Sequence, residues 1–218
     1  MQTLSKLPDG RFFDADYFER GRESGKGWLQ NYRWMPRRSF REALAIVDHL
    51  GLDETSRVLD VGCAKGFIVR ALRELEIAAD GCDISEYALS FAPRGCWHCE
   101  DLVAWEGRRY THAFAKDVFE HNTPEQLQVL LEAIASVAPK LMAVVPMGDN
   151  GKYRISQYHV EITHLIAEDE SWWRRVFRQG GWRVVREDLS VPGLKDNWNS
   201  YAEGRGNRVF VLERQNVA

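Results

Sequence analysis

The chain of 218 residues is short of cysteine, of long apolar runs and of surplus positive charge. Each shortage removes a class of protein. The four cysteines are Cys63, Cys82, Cys96 and Cys99; one falls in a glycine turn and one in an expected strand, so a disulfide framework is excluded and reduced thiols are expected. The pair in Cys96-Trp97-His98-Cys99 lacks the second CxxC or HxxxH pair that completes a zinc site. The longest purely apolar run, Leu141–Met147, is far too short to cross a bilayer, and MQTLSKLPDGRFF lacks the uninterrupted apolar core of a signal peptide. We therefore expect a cytoplasmic protein with no membrane span. A formal charge of −3 and a pI near 6.1 argue against a general nucleic-acid partner. No internal repeat or low-complexity tract is present.

What is present is ample apolar content, 44%, for one core, organised around Arg57–Leu72, RVLDVGCAKGFIVRAL. Val58, Leu59 and Val61 suit a strand buried on both faces, Asp60 lies near its carboxyl end, and Gly62 and Gly66 bracket a turn that a ligand can approach closely. Ile68, Ala71, Leu72 and Leu75 then mark one buried helix face.

Further strands are expected at Ala78–Ile84, near Gly95–Cys99, at His112–Asp117, at Leu141–Val145, near Trp182–Leu189 and near Arg208–Glu213. Ser85 is placed to cap a short helix. Thr123-Pro124-Glu125-Gln126 is a capping box for a helix striped by Leu127, Leu130, Leu131, Ile134 and Val137. Trp172, Trp173, Val176 and Phe177 mark another helix. Strands alternating with helices predict an α/β, mostly parallel sheet with an antiparallel edge strand. Residues 1–50 read as an aromatic N-terminal cap and a helix after Pro36, with Phe40, Ala43, Leu44 and Val47 on one face. The run from Gly21 to Gly27 imitates a phosphate-binding loop, but it is one residue short and Gly27 stands where Ser or Thr belongs. Residues 51–218 form the main domain, with an acceptor-loop insertion at about 147–168.

In open parallel sheets ligands bind beyond the carboxyl ends of the strands. Asp60, Asp83, Asp101 and Asp117 fall at or just past such ends. Asp83, about twenty positions past the turn, is placed to accept hydrogen bonds from ribose hydroxyls. A dinucleotide fingerprint needs G-x-G-x-x-G, whereas Gly62 and Gly66 stand four apart with Ala64 between them and Phe67 at the third glycine's place.

Asp60-x-Gly62-x-Ala64-x-Gly66 resembles instead the D-x-G-x-G-x-G turn of class I S-adenosylmethionine-dependent methyltransferases. Asp83, Asp101 and the segment Asp117-Val118-Phe119-Glu120-His121 extend the resemblance in order along the chain. The resemblance implies a Rossmann-like three-layer sandwich with a seven-stranded sheet and S-adenosylmethionine as cofactor. It also implies cofactor contacts at Asp60, Gly62, Cys63, Ala64, Gly66, Asp83, Ile84, Asp101, Leu102, Lys116 and Asp117. Tyr32 and Arg33 are placed to close over the cofactor's carboxylate. The leader is similar to that of bacterial methyltransferases acting on small molecules or glycans, which ranks a small-molecule or sugar acceptor first and O-methylation as the reaction.

A hydroxyl acceptor needs a base, for which His121 is the first candidate, with His159 and Glu120 behind it. No metal is expected. His159 and His164 with Asp149 would be the nearest approach to an ion site, and no spacing rule demands one. The alternatives are an NAD(P)-dependent oxidoreductase and a non-catalytic adenosine-binding subunit.

Overall fold

The computed structural model describes residues 9–198 and 201–215, so the first eight residues of the 1–50 segment, and Asn199, Ser200 and the last three residues of the 51–218 segment, lie outside the described residues. The leader forms α1 (Ala15–Ser24) and α2 (Pro36–Leu50). There follow β1 (Arg57–Val61), α3 (Phe67–Glu74), β2 (Ala78–Asp83), α4 (Glu86–Leu89), β3 (Cys96–His98), β4 (His112–Lys116) and α5 (Pro124–Val137). Beyond them lie β5 (Lys140–Pro146), a hairpin of β6 (Gly148–Asp149) and β7 (Lys152–Tyr153), α6 (Glu170–Gln179), β8 (Trp182–Asp188) and β9 (Asn207–Arg214). No described helix is long and apolar enough to cross a membrane.

Seven strands make one sheet in the order β3-β2-β1-β4-β5-β9-β8. All neighbours from β3 to β5 run parallel, and β9 runs antiparallel to both β5 and β8. The expected antiparallel strand is thus β9, at that end of the sheet and with β8 outside it.

Alternation along the strands builds two cores. Leu59, Val61, Ala113, Ala115, Leu141, Ala143 and Val145 face Leu127, Leu131 and Ile134 of α5 and Trp173 and Phe177 of α6. Val58, Phe114, Met142, Val144 and Val209 face the other way, onto α2 and α3. Helix, sheet and helix are the three layers. The capping box of α5 forms as read, with Thr123 Oγ1 accepting from the Gln126 N–H at 3.2 Å and Gln126 Oε1 from the Thr123 N–H at 2.9 Å.

One local reading changes. On α2 the buried residues include Ala43 and Ile46, whereas Leu44 is 47% exposed; the helix packs against α3 and the Val191–Leu194 loop, which turns Ile46 inward. The glycine-lysine run is a helix stop. Gly25 takes a left-handed φ of 70° to end α1, and Lys26 Nζ turns back to Asp14 at 2.7 Å.

Strand order reverses at β1, between β2 and β4. The loops after β1, β2 and β4 therefore gather at the carboxyl end of the sheet, where open α/β sheets bind their ligands.

Candidate functional site

The turn after β1 is held by its backbone. The Gly62 and Cys63 N–H groups both donate to the Cys82 carbonyl, at 2.8 and 3.0 Å. Gly62 has φ of 72°, and a Cβ there would lie 2.4 Å from Val118 Cγ2. Only glycine fits. Ala64 is also left-handed, φ 49°, although it carries a methyl.

Asp83 ties this turn to the tip of β2. Its Oδ2 accepts from the Ala64 N–H at 2.7 Å and its Oδ1 from the Ser85 N–H at 2.8 Å. Burial pushes its carboxyl up, and those backbone donors pull against the rise. Asp60 is 4% exposed beneath the turn, and burial carries its carboxyl well above the usual range. Cys63 lies buried under the turn, where the Cys96 thiol and then burial raise its own thiol; with its N–H spent on Cys82, its visible role is to hold the turn.

The leader lies across the tip of β2. A Cβ on Gly10 would meet the Ile84 carbonyl at 2.1 Å, and the Ser85 hydroxyl donates to the Phe13 carbonyl. The Ile84 carbonyl also accepts from His98 Nε2 at 3.0 Å. Lys65, in the turn itself, pairs with Glu19 of α1 and donates to the Tyr32 carbonyl at 2.8 Å. The Tyr32 ring sits 5.0 Å from Phe67, and burial, followed by the charge of Asp60, pushes its phenol up. Tyr32 is therefore at the turn, while Arg33 is exposed. Asp101 is exposed after β3 and caps the short helical turn that Leu102 begins, accepting from the Val103 N–H at 2.9 Å.

Beyond β4 the chemistry becomes acidic and basic at once. Asp117, in a left-handed conformation with φ of 57°, pairs with Lys195 from the loop after β8, and Lys116 lies 3.6 Å away. Burial alone would raise the Asp117 carboxyl, but Lys195 and Lys116 hold it well below the usual range. Glu120 is wholly buried, and burial followed by the Asp117 charge pushes it up to about 8.

His121 and His164 have ring centroids 4.7 Å apart, and His164 Nε2 lies 3.8 Å from Glu120 Oε1. Burial lowers both imidazoles, His164 to about 2. His121 Nδ1 is 2.7 Å from Thr163 Oγ1, and that hydroxyl donates to Glu161 Oε1 at 3.1 Å. Thr163 has one hydrogen, so its oxygen accepts from Nδ1–H and the lone pair of His121 falls on Nε2.

The expected companions of His164 lie elsewhere. His159 is exposed and its Nε2 accepts the Tyr153 N–H at 3.2 Å, while Asp149 is held by Arg154 at 2.8 Å. The grouping of Asp149, His159 and His164 does not form, because the hairpin of β6 and β7 turns the first two toward other partners. Lys195, Thr163 and Glu161 were not singled out by pattern; they sit in aperiodic loops, and only the tertiary fold brings them to β4.

The leader and the segment after β7 meet at Trp28. Its backbone N–H donates to Glu161 Oε2 at 3.2 Å and its indole N–H to the Gln157 carbonyl at 2.6 Å. Beside it opens a cleft of about 440 Å³ lined by Arg22, Trp28, Gln157, Asn197, Trp198 and Tyr201.

No family model matches the chain, and no curated relative matches it. Solved structures do. A chain from the complex between the Haloferax volcanii Trm112 methyltransferase activator and a methyltransferase superposes with a TM-score of 0.67 at 18% identity, over 97% of this chain and 99% of that one. Magnesium protoporphyrin IX methyltransferase from Synechocystis PCC 6803, solved with S-adenosylhomocysteine, gives 0.62 at 19%, over 94% and 97%. The [4+2]-cyclase SpnF gives 0.59 at 14%, over 81% and 80%. Strand order, turn and strand-end acids together give this chain the fold of the S-adenosylmethionine-dependent methyltransferases.

Proposed function

We propose that the chain is an S-adenosylmethionine-dependent methyltransferase acting on the oxygen of a small-molecule or sugar acceptor. The observation that carries this reading is Asp83, a carboxylate at the tip of β2 bonded to the turn after β1 at the point where strand order reverses. Each of its oxygens keeps a lone pair for a ribose hydroxyl. Gly62, Ala64 and Gly66 present the backbone, Asp60 and Tyr32 stand behind them, and Ile84, Asp101 and Leu102 flank the adenine side. Lys116 and Asp117 complete the set where β4 ends.

When bound, the cofactor supplies a methyl group on a sulfonium leaving group. The chain's own work is to align the acceptor and exclude water. The leader covers one side and residues 147–168 the other, joined through Trp28, Gln157 and Glu161. The aromatic cleft beside Trp28 has room for a sugar or planar ring and offers Arg22, Gln157 and Asn197 as polar partners. We place activation of the acceptor hydroxyl at Glu120 and His121. His159 drops out, since its Nε2 is already engaged.

The same architecture in a [4+2]-cyclase means that the fold alone does not establish methyl transfer. The test has two stages. Calorimetry compares S-adenosylmethionine with NAD, and S-adenosylhomocysteine release is then followed with hydroxylated acceptors. Binding of the first cofactor alone, with acceptor-dependent release, supports the reading. Binding of NAD alone rejects it.

A further inference from the structure

Glu120 is fully buried, and neither of its carboxylate oxygens has a hydrogen-bond partner among the described residues. His164 Nε2, at 3.8 Å from Oε1, is too far to serve. His164 Nδ1 is likewise buried and unpartnered. A buried carboxyl group with neither oxygen hydrogen-bonded is a costly feature of a protein interior. No cationic side chain among the described residues lies within hydrogen-bonding reach of either oxygen.

The neighbouring cations are already engaged. Lys195 is bonded to Asp117, and Lys116 lies between Asp117 at 3.6 Å and Glu42 at 3.9 Å. What remains is a cluster in which both Glu120 oxygens and His164 Nδ1 have no hydrogen-bond partner among the described residues. One ligand atom from each of Glu120, His121 and His164 lies within 4.8 Å of the other two. Thr163 fixes the His121 tautomer by taking Nδ1–H, backed by Glu161, which is how proteins prepare an imidazole to ligate through its other nitrogen.

We infer that Glu120, His121 and His164 form a binding site for a first-row divalent cation of the zinc class. Two imidazoles with one carboxylate suit such an ion, whereas magnesium and calcium prefer all-oxygen sets. Three protein ligands leave a position open, as catalytic zinc sites do. Bonds of about 2.0–2.2 Å require donors closer together than 4.8 Å, so the three side chains contract on loading. With an ion bound, Glu120 and His121 would activate the acceptor hydroxyl as ligands and not as bases, the acceptor's oxygen taking the open position. That last role rests on the methyl-transfer reading; metal binding itself does not.

The test uses full-length protein dialysed against chelator, titrated with zinc by calorimetry and with cobalt(II) by visible absorption. We expect one equivalent, with ligand-field bands of four- or five-coordinate cobalt. Glu120→Gln and His164→Ala should each weaken binding at least ~100-fold and Thr163→Val by about 10–100-fold, all with unchanged far-ultraviolet dichroism. His164→Gln serves if His164→Ala does not fold. A Cys96→Ser/Cys99→Ser variant should bind as wild type. Absence of stoichiometric binding, binding that survives Glu120→Gln and His164→Ala, or loss confined to the cysteine variant would overturn the inference. Zinc binding without S-adenosylmethionine binding would sink only the methyl-transfer reading, and the reverse would sink only the metal site.

Discussion

The Asp83 carboxylate spans from the tip of β2 to the turn after β1, accepting the Ala64 N–H at 2.7 Å while its other oxygen accepts the Ser85 N–H at 2.8 Å. One side chain thus fixes two loops at the carboxyl end of the sheet. Asp83→Ala strands both N–H groups in a site where Asp83 is only 9% exposed, which should cost about 2–3 kcal/mol. Asp83→Asn retains an acceptor and should cost about 1 kcal/mol. Urea unfolding of the two variants checks the order. Equal stabilities would remove this bracing role.

Two of the left-handed residues of the turn, Gly62 and Ala64, predict opposite outcomes. Gly62→Ala meets both the unfavourable φ and Val118 at 2.4 Å, and should cost about 2–4 kcal/mol. Ala64→Gly relieves backbone strain of about 1–2 kcal/mol and forfeits a partly packed methyl worth about 0.8 kcal/mol. A gain of about 0.5 kcal/mol follows. Thermal melting of both variants reads the contrast, and a large loss in Ala64→Gly would refute it.

Lys195 and Asp117 join the loop after β8 to the end of β4. Lys195→Met leaves the half-buried Asp117 carboxylate with Lys116 alone at 3.6 Å, and should cost about 1–3 kcal/mol. Adding Asp117→Asn should restore much of that loss. A double-mutant cycle by denaturant unfolding measures the coupling. Strict additivity would show that the pair is incidental.

Acid stability should carry the mark of Glu170. Hydrogen bonds from Arg154 first, and also from Arg208, hold its carboxyl at about 2, against 4.5 for the free side chain. A depressed carboxyl contributes its stability above the unfolded value, and the contribution is lost as pH falls from about 4.5 toward 2. Glu170→Gln should therefore be less stable than wild type at pH 7, by about 2 kcal/mol. The gap should close as pH approaches 2, and chemical denaturation across that range follows it. A constant gap would contradict the assignment.

The sheet was legible because its strands are short apolar runs ending in acids: β1, β2 and β4 stop at or beside Asp60, Asp83 and Asp117. Thr123 and Gln126 announced α5 through local chemistry alone. The face of α2 was misread at Leu44, since its burial depends on α3 and Leu194, which periodicity does not register. Asp101 looked like a ligand contact by position, and the structure adds the turn it caps. The pairing of Lys195 with Asp117 and of Thr163 with His121 links loops 78 and 42 positions apart. Neither pair has a local sequence signature, so these contacts beyond β4 were invisible until the chain was folded.

The central claim is that the Gly62–Asp83 site binds S-adenosylmethionine. Isothermal titration of wild type and Asp83→Asn with S-adenosylmethionine, and of wild type with NAD, tests it most directly. The account predicts one equivalent of S-adenosylmethionine, affinity at least about 10-fold weaker in Asp83→Asn through loss of charge-assisted hydrogen bonds, and no heat from NAD. Binding of NAD in place of S-adenosylmethionine, or an affinity indifferent to Asp83→Asn, would contradict it.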